Sequence, residues 1–309
     1  MTLHPNGLFL RREALDFSYR DEDLLAARRA GVIHRVRHGA YVPAETWNGL
    51  DEIGRFRLRG QAVCLTHDNR IALSHASAAA EHGLRLWEVD LSHVHVVRLD
   101  GACGRRQRDV IYHEDSWSPD DLYAKDELLL LGPEQSALGA AALTSVEGGL
   151  CIVDSLLDLD LGSAESIWHE YQRRIYWPHH GKLQITLRLM REGSQSIGET
   201  RSRKLFFNQH IPEPQLQYEV YDGSELVGIT DFAWPEYRTF GEFDGHIKYG
   251  RLLKPGQKLE EVLVREKNRE NRLREVTGWV MIRIVWANLY RPQVTAERVR
   301  RMLRMGMIA

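Results

Sequence analysis

Cysteine is scarce in this chain of 309 residues. There are three, Cys64, Cys103 and Cys151, odd in number and far apart. That argues against a disulfide framework and against zinc-ligand spacing, and it fits a reducing, cytoplasmic setting. Long apolar runs are also missing. The stretch LLLLG at 128–132 is among the longest, and a bilayer span needs about 20 such residues, so no membrane partner is expected. The N-terminus has no apolar stretch of the signal-peptide kind. No internal repeat and no low-complexity segment stands out. A global basic field is absent as well, because the formal net charge is −2. A nucleic-acid binder of this composition has to concentrate its cations locally.

Hydrophobic residues make up 43% and charged residues 27% of the chain, enough apolar material for sizeable cores. The length predicts two or three domains. Charge divides the chain in the same way. Residues 24–40 hold Arg28, Arg29, Arg35 and Arg37 and no acid, residues 114–170 carry a net of −12, and residues 262–304 a net of +7. A basic head, an acidic middle and a basic tail imply three parts with different partners.

The head reads as helix, turn, helix, basic hairpin. GLFLRREAL predicts a short helix. SYRDEDLLAARRAG predicts a second, capped by Ser18 with Asp21 three residues on, with Leu24, Leu25 and Ala27 toward a core and Gly31 as the stop. VIHRVRHGAYV alternates, and His38-Gly39 suits a tight hairpin turn. This is the pattern of a winged helix-turn-helix. Its second helix would enter the major groove of duplex DNA, and Arg35 and Arg37 on the wing would meet phosphate or minor groove, with Arg28 and Arg29 beside them. The plain alternative is a small capped helical unit with a solvated basic face.

In the middle, LSHASAAAEHGLRLW predicts a helix capped by Ser74, and HVHVVRL a strand. His93 and His95 alternate on that strand without a third ligand at useful spacing, so they read as ordinary hydrogen-bonded histidines. The segment 142–175 predicts helices whose acids lie on a solvated face. Such a face will not bind DNA but can meet a basic protein.

The segments GLFLRREAL, LLAARRAGVIHRVRHGAYVP and LSHASAAAEHGLRLW together resemble the type IV abortive-infection antitoxin family, over residues 7 to about 175. The resemblance implies an N-terminal winged helix joined to a helical and mixed domain. It also implies repression of the protein's own operon and antagonism of a nucleotidyltransferase toxin, which makes a toxin the expected partner of the acidic middle.

From residue 194 the expected order is helix, strand, strand, strand, helix, strand, helix. QLQYEVYDGSELVGITDFAW is a hairpin turned at Asp222-Gly223. RTFGEFD is the third strand, LEEVLVREKNRENRLREV a long charged helix, and WVMIRIVW a strand of the kind buried on both faces. A turn centred on Pro235-Glu236 would set Asp231 opposite Phe240. Asp231, Phe240, Glu242 and Asp244 then share one face, and Phe232, Trp234 and Phe243 the other. Three carboxylates converging at a sheet edge repel one another. Mg²⁺ or Mn²⁺ relieves that repulsion, whereas at an exposed edge water alone screens it.

GETRSR, TDFAWPE, GEFDGHIKYG, REKNRENRLRE and WVMIRIVW resemble the PD-(D/E)XK nuclease superfamily, nearest to the very-short-patch-repair endonucleases, over about 190–290. The resemblance implies Asp231 and Glu242 as metal-binding acids, with Glu199 as the acid of the first helix. Two positions depart from it. Asp244 stands where the superfamily lysine follows Glu242, which leaves Lys248, or Lys267 on the next helix, to supply that cation. Asn271 stands where relatives carry an acid. Each residue also has a plain role. Ser196 and Glu199 fit a capping box, and Lys248 fits a solvated loop. Arg265, Lys267, Arg269, Arg272 and Arg274 fit either the wet face of a helix or a set of phosphate contacts.

The expectation is thus an α/β (α+β) chain. Residues 1–50 form a winged helix-turn-helix, 51–190 a mixed antitoxin-like domain, and 191–309 a restriction-endonuclease-like αβββαβ domain. The expected function is DNA binding with Mg²⁺- or Mn²⁺-dependent phosphodiester hydrolysis. Its rival is a non-enzymatic repressor or antitoxin with a degenerate nuclease fold.

Overall fold

The computed structural model describes residues 4–67, 70–101, 104–114, 117–174, 176, 177, 179–245 and 259–308. The chain is an α/β protein with three sheets, and it divides into two compact units, Met1–Arg188 and Leu189–Ala309. No helix among the described residues is long and apolar enough to cross a membrane.

Unit 1 begins with β1 (Phe9–Leu10), α1 (Arg11–Asp16), α2 (Asp21–Arg29), β2 (Ile33–Arg37) and β3 (Ala40–Pro43). These strands form an antiparallel sheet in the order β1-β3-β2. The hairpin turns at His38-Gly39 as expected, with Gly39 at φ +79°. Two local expectations change. Phe9 and Leu10 are strand rather than helix, because both are buried in pairing with Tyr41 and Ala40. The second helix is capped by Asp23 Oδ2, which accepts the Arg20 amide at 2.7 Å, and Ser18 lies outside it at φ +67°. Leu24 is buried as expected, whereas Leu25 is exposed.

Then come α3 (Ala44–Gly49), α4 (Glu52–Thr66), β4 (Ile71–Leu73), α5 (His75–Glu81), β5 (Val94–Arg98), β6 (Arg105–Arg106) and β7 (Val110–His113). They are followed by β8 (Leu122–Lys125), β9 (Leu128–Leu131), α6 (Pro133–Ala142), α7 (Val146–Asp158), α8 (Ala164–Arg173) and α9 (His180–Leu189). The six strands β4 to β9 form one mixed sheet in the order β6-β7-β5-β4-β9-β8. Helix α4 belongs to two cores. Leu58, Ala62 and Leu65 pack with Leu8, Leu10, Ala40 and Val42 of the head. Val63 and Cys64 pack with Val94, Val96, Val110 and Leu130 of the large sheet. The boundary expected near residue 50 is therefore bridged by a shared helix.

Unit 2 runs α10 (Ile197–Asn208), β10 (Gln215–Asp222), β11 (Glu225–Trp234), β12 (Thr239–Asp244), α11 (Leu259–Thr277), β13 (Val280–Val285), α12 (Trp286–Leu289) and α13 (Pro292–Ile308). Its sheet has the order β10-β11-β12-β13. The first two pairs are antiparallel, and β12 and β13 are parallel, joined through α11. Strand β13 ends the strand order, and as expected it is buried on both faces, Ile282 and Ile284 on one and Met281 on the other. One face buries Phe232, Trp234, Phe243, Ile282 and Ile284 with residues of α10 and α13. The other buries Val220, Ala233, Phe240 and Met281 with Leu273 of α11. Helix α10 lies close to the sheet, since a Cβ on Gly198 would fall 2.0 Å from the Phe243 ring.

The β11–β12 register differs from expectation by two residues: Ala233 faces Phe240 and Phe232 faces Gly241. The cause is the connection. A short 3₁₀ turn, Pro235–Tyr237, is followed by Arg238 at φ +46°, so four residues join the strands instead of two. A shift of two keeps every side chain on its face, and the expected partition of apolar and acidic faces stands.

Candidate functional site

The corrected register brings Asp231 level with Glu242 on neighbouring strands, beyond the pair Phe232 and Gly241. Asp231 is half-buried and Glu242 is buried. One Asp231 oxygen accepts the Phe243 amide at 2.7 Å. Burial pushes the Glu242 carboxyl above its ordinary range, Arg269 pulls it back, and the charge of Asp231 pushes it up again. The two acids therefore sense each other.

The compensation comes from arginine. Arg269 on α11 donates to Glu242 Oε1 at 2.6 Å and to the Ile229 carbonyl at 3.1 Å. Arg283 stands beside Glu242 in the parallel register. It lies 3.8 Å from Glu242, 3.6 Å from Asp244 and 2.8 Å from Glu270, and Arg274 pairs with Glu270 at 2.6 Å. Arg269 was expected as a phosphate contact and takes this second role. Arg283 was not expected at all, although its charge inside the apolar run WVMIRIVW was the signal.

Glu199 is 3% exposed. Its carboxylate accepts the Gln195 amide at 2.8 Å and the Ser196 hydroxyl at 2.6 Å, and the Ser196 Oγ accepts the Glu199 amide at 3.2 Å. Ser196 thus caps the helix as expected, and Glu199 reaches back to the Gln195 amide, one residue before the position a capping box uses. Gln217 Nε2 also donates to Glu199 at 3.3 Å. Gln217 lies between Leu216 and Tyr218, which pair with Phe232 and Thr230, and so sits level with Asp231. Its φ of +46° is a strained value for a strand residue. Lys248 lies outside the described residues. Lys267 is exposed, and Arg272 pairs with Asp222 at 2.5 Å.

A divalent ion needs several oxygens turned to one point. Among the described residues no three of His, Cys, Asp and Glu are grouped so as to hold a metal ion. The near acids instead carry an amide on Asp231 and guanidinium groups on Glu242 and Asp244. In this arrangement the residues do not fit Mg²⁺ or Mn²⁺.

In unit 1, Arg28, Arg29 and Arg35 are exposed, and among the described residues they make no ion pair. Arg37 turns inward. It donates to Thr66 Oγ1 at 3.1 Å and lies 3.7 Å from Asp109. The first turn of α2 carries Asp21, Glu22 and Asp23, so the basic surface is the end of α2 and the wing, not the start of that helix. The acidic middle is partly neutralised internally, with Asp121 and Glu170 on Arg173 and Asp158 on Arg85.

A histidine cluster went unread because its members are remote in sequence. His75 stacks on His113 at 3.7 Å, and His95 Nδ1 lies 2.8 Å from His113 Nε2. Burial holds His95 down to about 3 and His113 to about 4.

No protein-family model matches the chain. Two uncharacterized proteins of Mycobacterium tuberculosis, MT2308 (strain CDC 1551 / Oshkosh) and Rv2248 (strain ATCC 25618 / H37Rv), are each 28% identical to it over 114 residues. The match covers 36% of this chain and 38% of each relative.

Proposed function

We propose that this chain is a cytoplasmic duplex-DNA-binding protein that acts as a repressor or antitoxin. Its nuclease-like C-terminal unit then serves as a binding platform. The observation that carries this reading is the Arg269–Glu242 contact of 2.6 Å, with Arg283 bridging Glu242, Asp244 and Glu270. Arginine is permanently charged and cannot be displaced by deprotonation. Asp244 in the usual lysine position supports the same reading. DNA binding rests on Arg28, Arg29 and Arg35, which point to solvent without acidic partners. The acidic stretch 114–170 suits a basic protein partner such as a toxin.

A second reading, metal-dependent DNA hydrolysis, is favoured by one observation: Asp231 and Glu242 stand level, and the charge of Asp231 helps to raise the Glu242 carboxyl. Plasmid incubation with Mn²⁺ separates the two. On the first reading, wild type and Asp231→Asn leave supercoiled DNA intact while both shift duplex in a gel. Nicking by wild type that Asp231→Asn abolishes would install the second reading.

A further inference from the structure

A polar cavity of about 260 Å³ opens on unit 1. Thr66 and His67 line it from the end of α4, Arg70 and Ile71 from the start of β4, Arg98 and Asp100 from the end of β5, Arg105 from β6 and Tyr112 from β7. Three arginines and one aspartate thus line it. Asp100 is held by Arg98, whose Nε donates at 2.8 Å. Arg70 and Arg105 are exposed, and among the described residues they make no ion pair. The Arg105 guanidinium lies over the Tyr112 ring at 4.9 Å, and the Tyr112 hydroxyl is 2.8 Å from His67 Nε2. That contact holds the Arg105 guanidinium beside Tyr112 at the cavity wall.

Charged residues on an edge strand commonly only keep other strands away, and β6 is such an edge. That role does not require Arg70, just before β4, and Arg98 of β5 to line the same hollow. Planar forks arranged around a polar hollow match a phosphate oxyanion. The hollow also touches the wing, because its Thr66 accepts from Arg37 of β2.

We propose that this cavity is a phosphate site for the backbone of duplex DNA, so that the footprint runs from Arg35 on the wing across to Arg70 and Arg105. The site is sequence-blind: it positions the duplex, and any base reading occurs elsewhere. The proposal rests on the DNA-binding reading of unit 1, and the test separates the two.

Full-length wild type, Arg70→Ala/Arg105→Ala, Arg70→Lys/Arg105→Lys and Arg28→Ala/Arg35→Ala are titrated with a fluorescent duplex across a salt series, and with inorganic phosphate by calorimetry. Melting curves check that each variant is folded. The Arg70→Ala/Arg105→Ala protein is expected to bind every duplex more weakly, with a salt slope lower by roughly two, one per lost phosphate contact. The lysine pair keeps the charge and restores most of the slope. If Arg28→Ala/Arg35→Ala weakens binding and the alanine pair does not, the cavity proposal falls and the DNA reading stands. If wild type ignores DNA but binds phosphate through Arg70 and Arg105, the DNA reading falls and the site takes free phosphate. If wild type binds neither, both fall.

Discussion

Arg269 Nη2 stands 2.6 Å from Glu242 Oε1, and the same guanidinium donates to the backbone of Ile229 on β11. One arginine thus ties the long charged helix to two strands and neutralises the most buried acid of the sheet edge. Glu242 and Asp244 thus have cations of the same chain beside them.

Removing that arginine should expose the carboxylate's cost. Arg269→Ala leaves Glu242 buried beside Asp231, with Arg283 at 3.8 Å as its nearest cation. We expect a loss of roughly 1–3 kcal/mol at neutral pH, the desolvation cost of an unsatisfied group. The Glu242 carboxyl is raised already and rises further in the variant. A raised acid costs stability as pH climbs through its unfolded value toward its folded one, so the deficit should be small in acid and full at pH 7. Urea melts at pH 4 and pH 7 check this. Arg269→Ala/Glu242→Gln should recover most of the loss. If Mn²⁺ raises the melting temperature of Arg269→Ala but not of wild type, the arginine is what excludes a metal.

The histidine cluster predicts a slope on the acid side. His75, His95 and His113 are all held below their ordinary value by burial. The folded state keeps them neutral while the unfolded chain takes up protons below about pH 6.5. Stability should therefore be level above pH 7 and fall from about pH 6.5 toward pH 4. His113 alone, at about 4, contributes on the order of 3 kcal/mol across that window. Denaturation at pH 7.5 and pH 5 measures the slope. His113→Phe keeps a ring against His75 and should flatten it.

Gly198 should tolerate no side chain. A Cβ there meets the Phe243 ring at 2.0 Å, and Phe243 also donates its amide to Asp231. Gly198→Ala has to lift α10 from the sheet or turn Phe243 out, at a cost of about 1–3 kcal/mol or more. Chemical denaturation gives the loss. Gly198→Ala/Phe243→Leu should regain part of it, and an unchanged midpoint for the single variant would refute the close approach.

What the sequence disclosed follows from how local each signal was. The Asp222-Gly223 turn, the Ser196 cap on the Glu199 amide and the split of Phe232, Trp234 and Phe243 from Asp231, Glu242 and Asp244 depend on neighbours within a few residues, and all are present. The register slipped by two because Arg238 adopts φ +46°, a conformation that only glycine or asparagine announces. Leu25 and Leu24 could not be separated by periodicity alone, and only Leu24 found a core. The arginine partners of the acids come from 27 and more residues away, and the histidines from three elements. Such meetings depend on tertiary packing, which leaves no periodic trace.

The head supplies the last prediction, and it separates two arginines that the sequence treated alike. Arg35 projects to solvent from β2, whereas Arg37, two residues on, is half-buried on Thr66 and near Asp109. Arg35→Ala, alone or with Arg28→Ala and Arg29→Ala, should leave the melting temperature within about a degree, because exposed residues without partners contribute little to folding. It should weaken duplex binding for all sequences and lower the salt slope by roughly one per arginine removed. Arg37→Ala should do the reverse at first order. It frees Thr66 and Asp109, loosens the wing from α4, and should cost about 1 kcal/mol of stability. Its effect on DNA would follow from wing displacement and be recovered at low temperature, where the hairpin reseats. Gel shifts and thermal melts on the same samples decide the matter. Equal losses of affinity with equal melting temperatures for Arg35→Ala and Arg37→Ala would mean that both arginines face DNA directly.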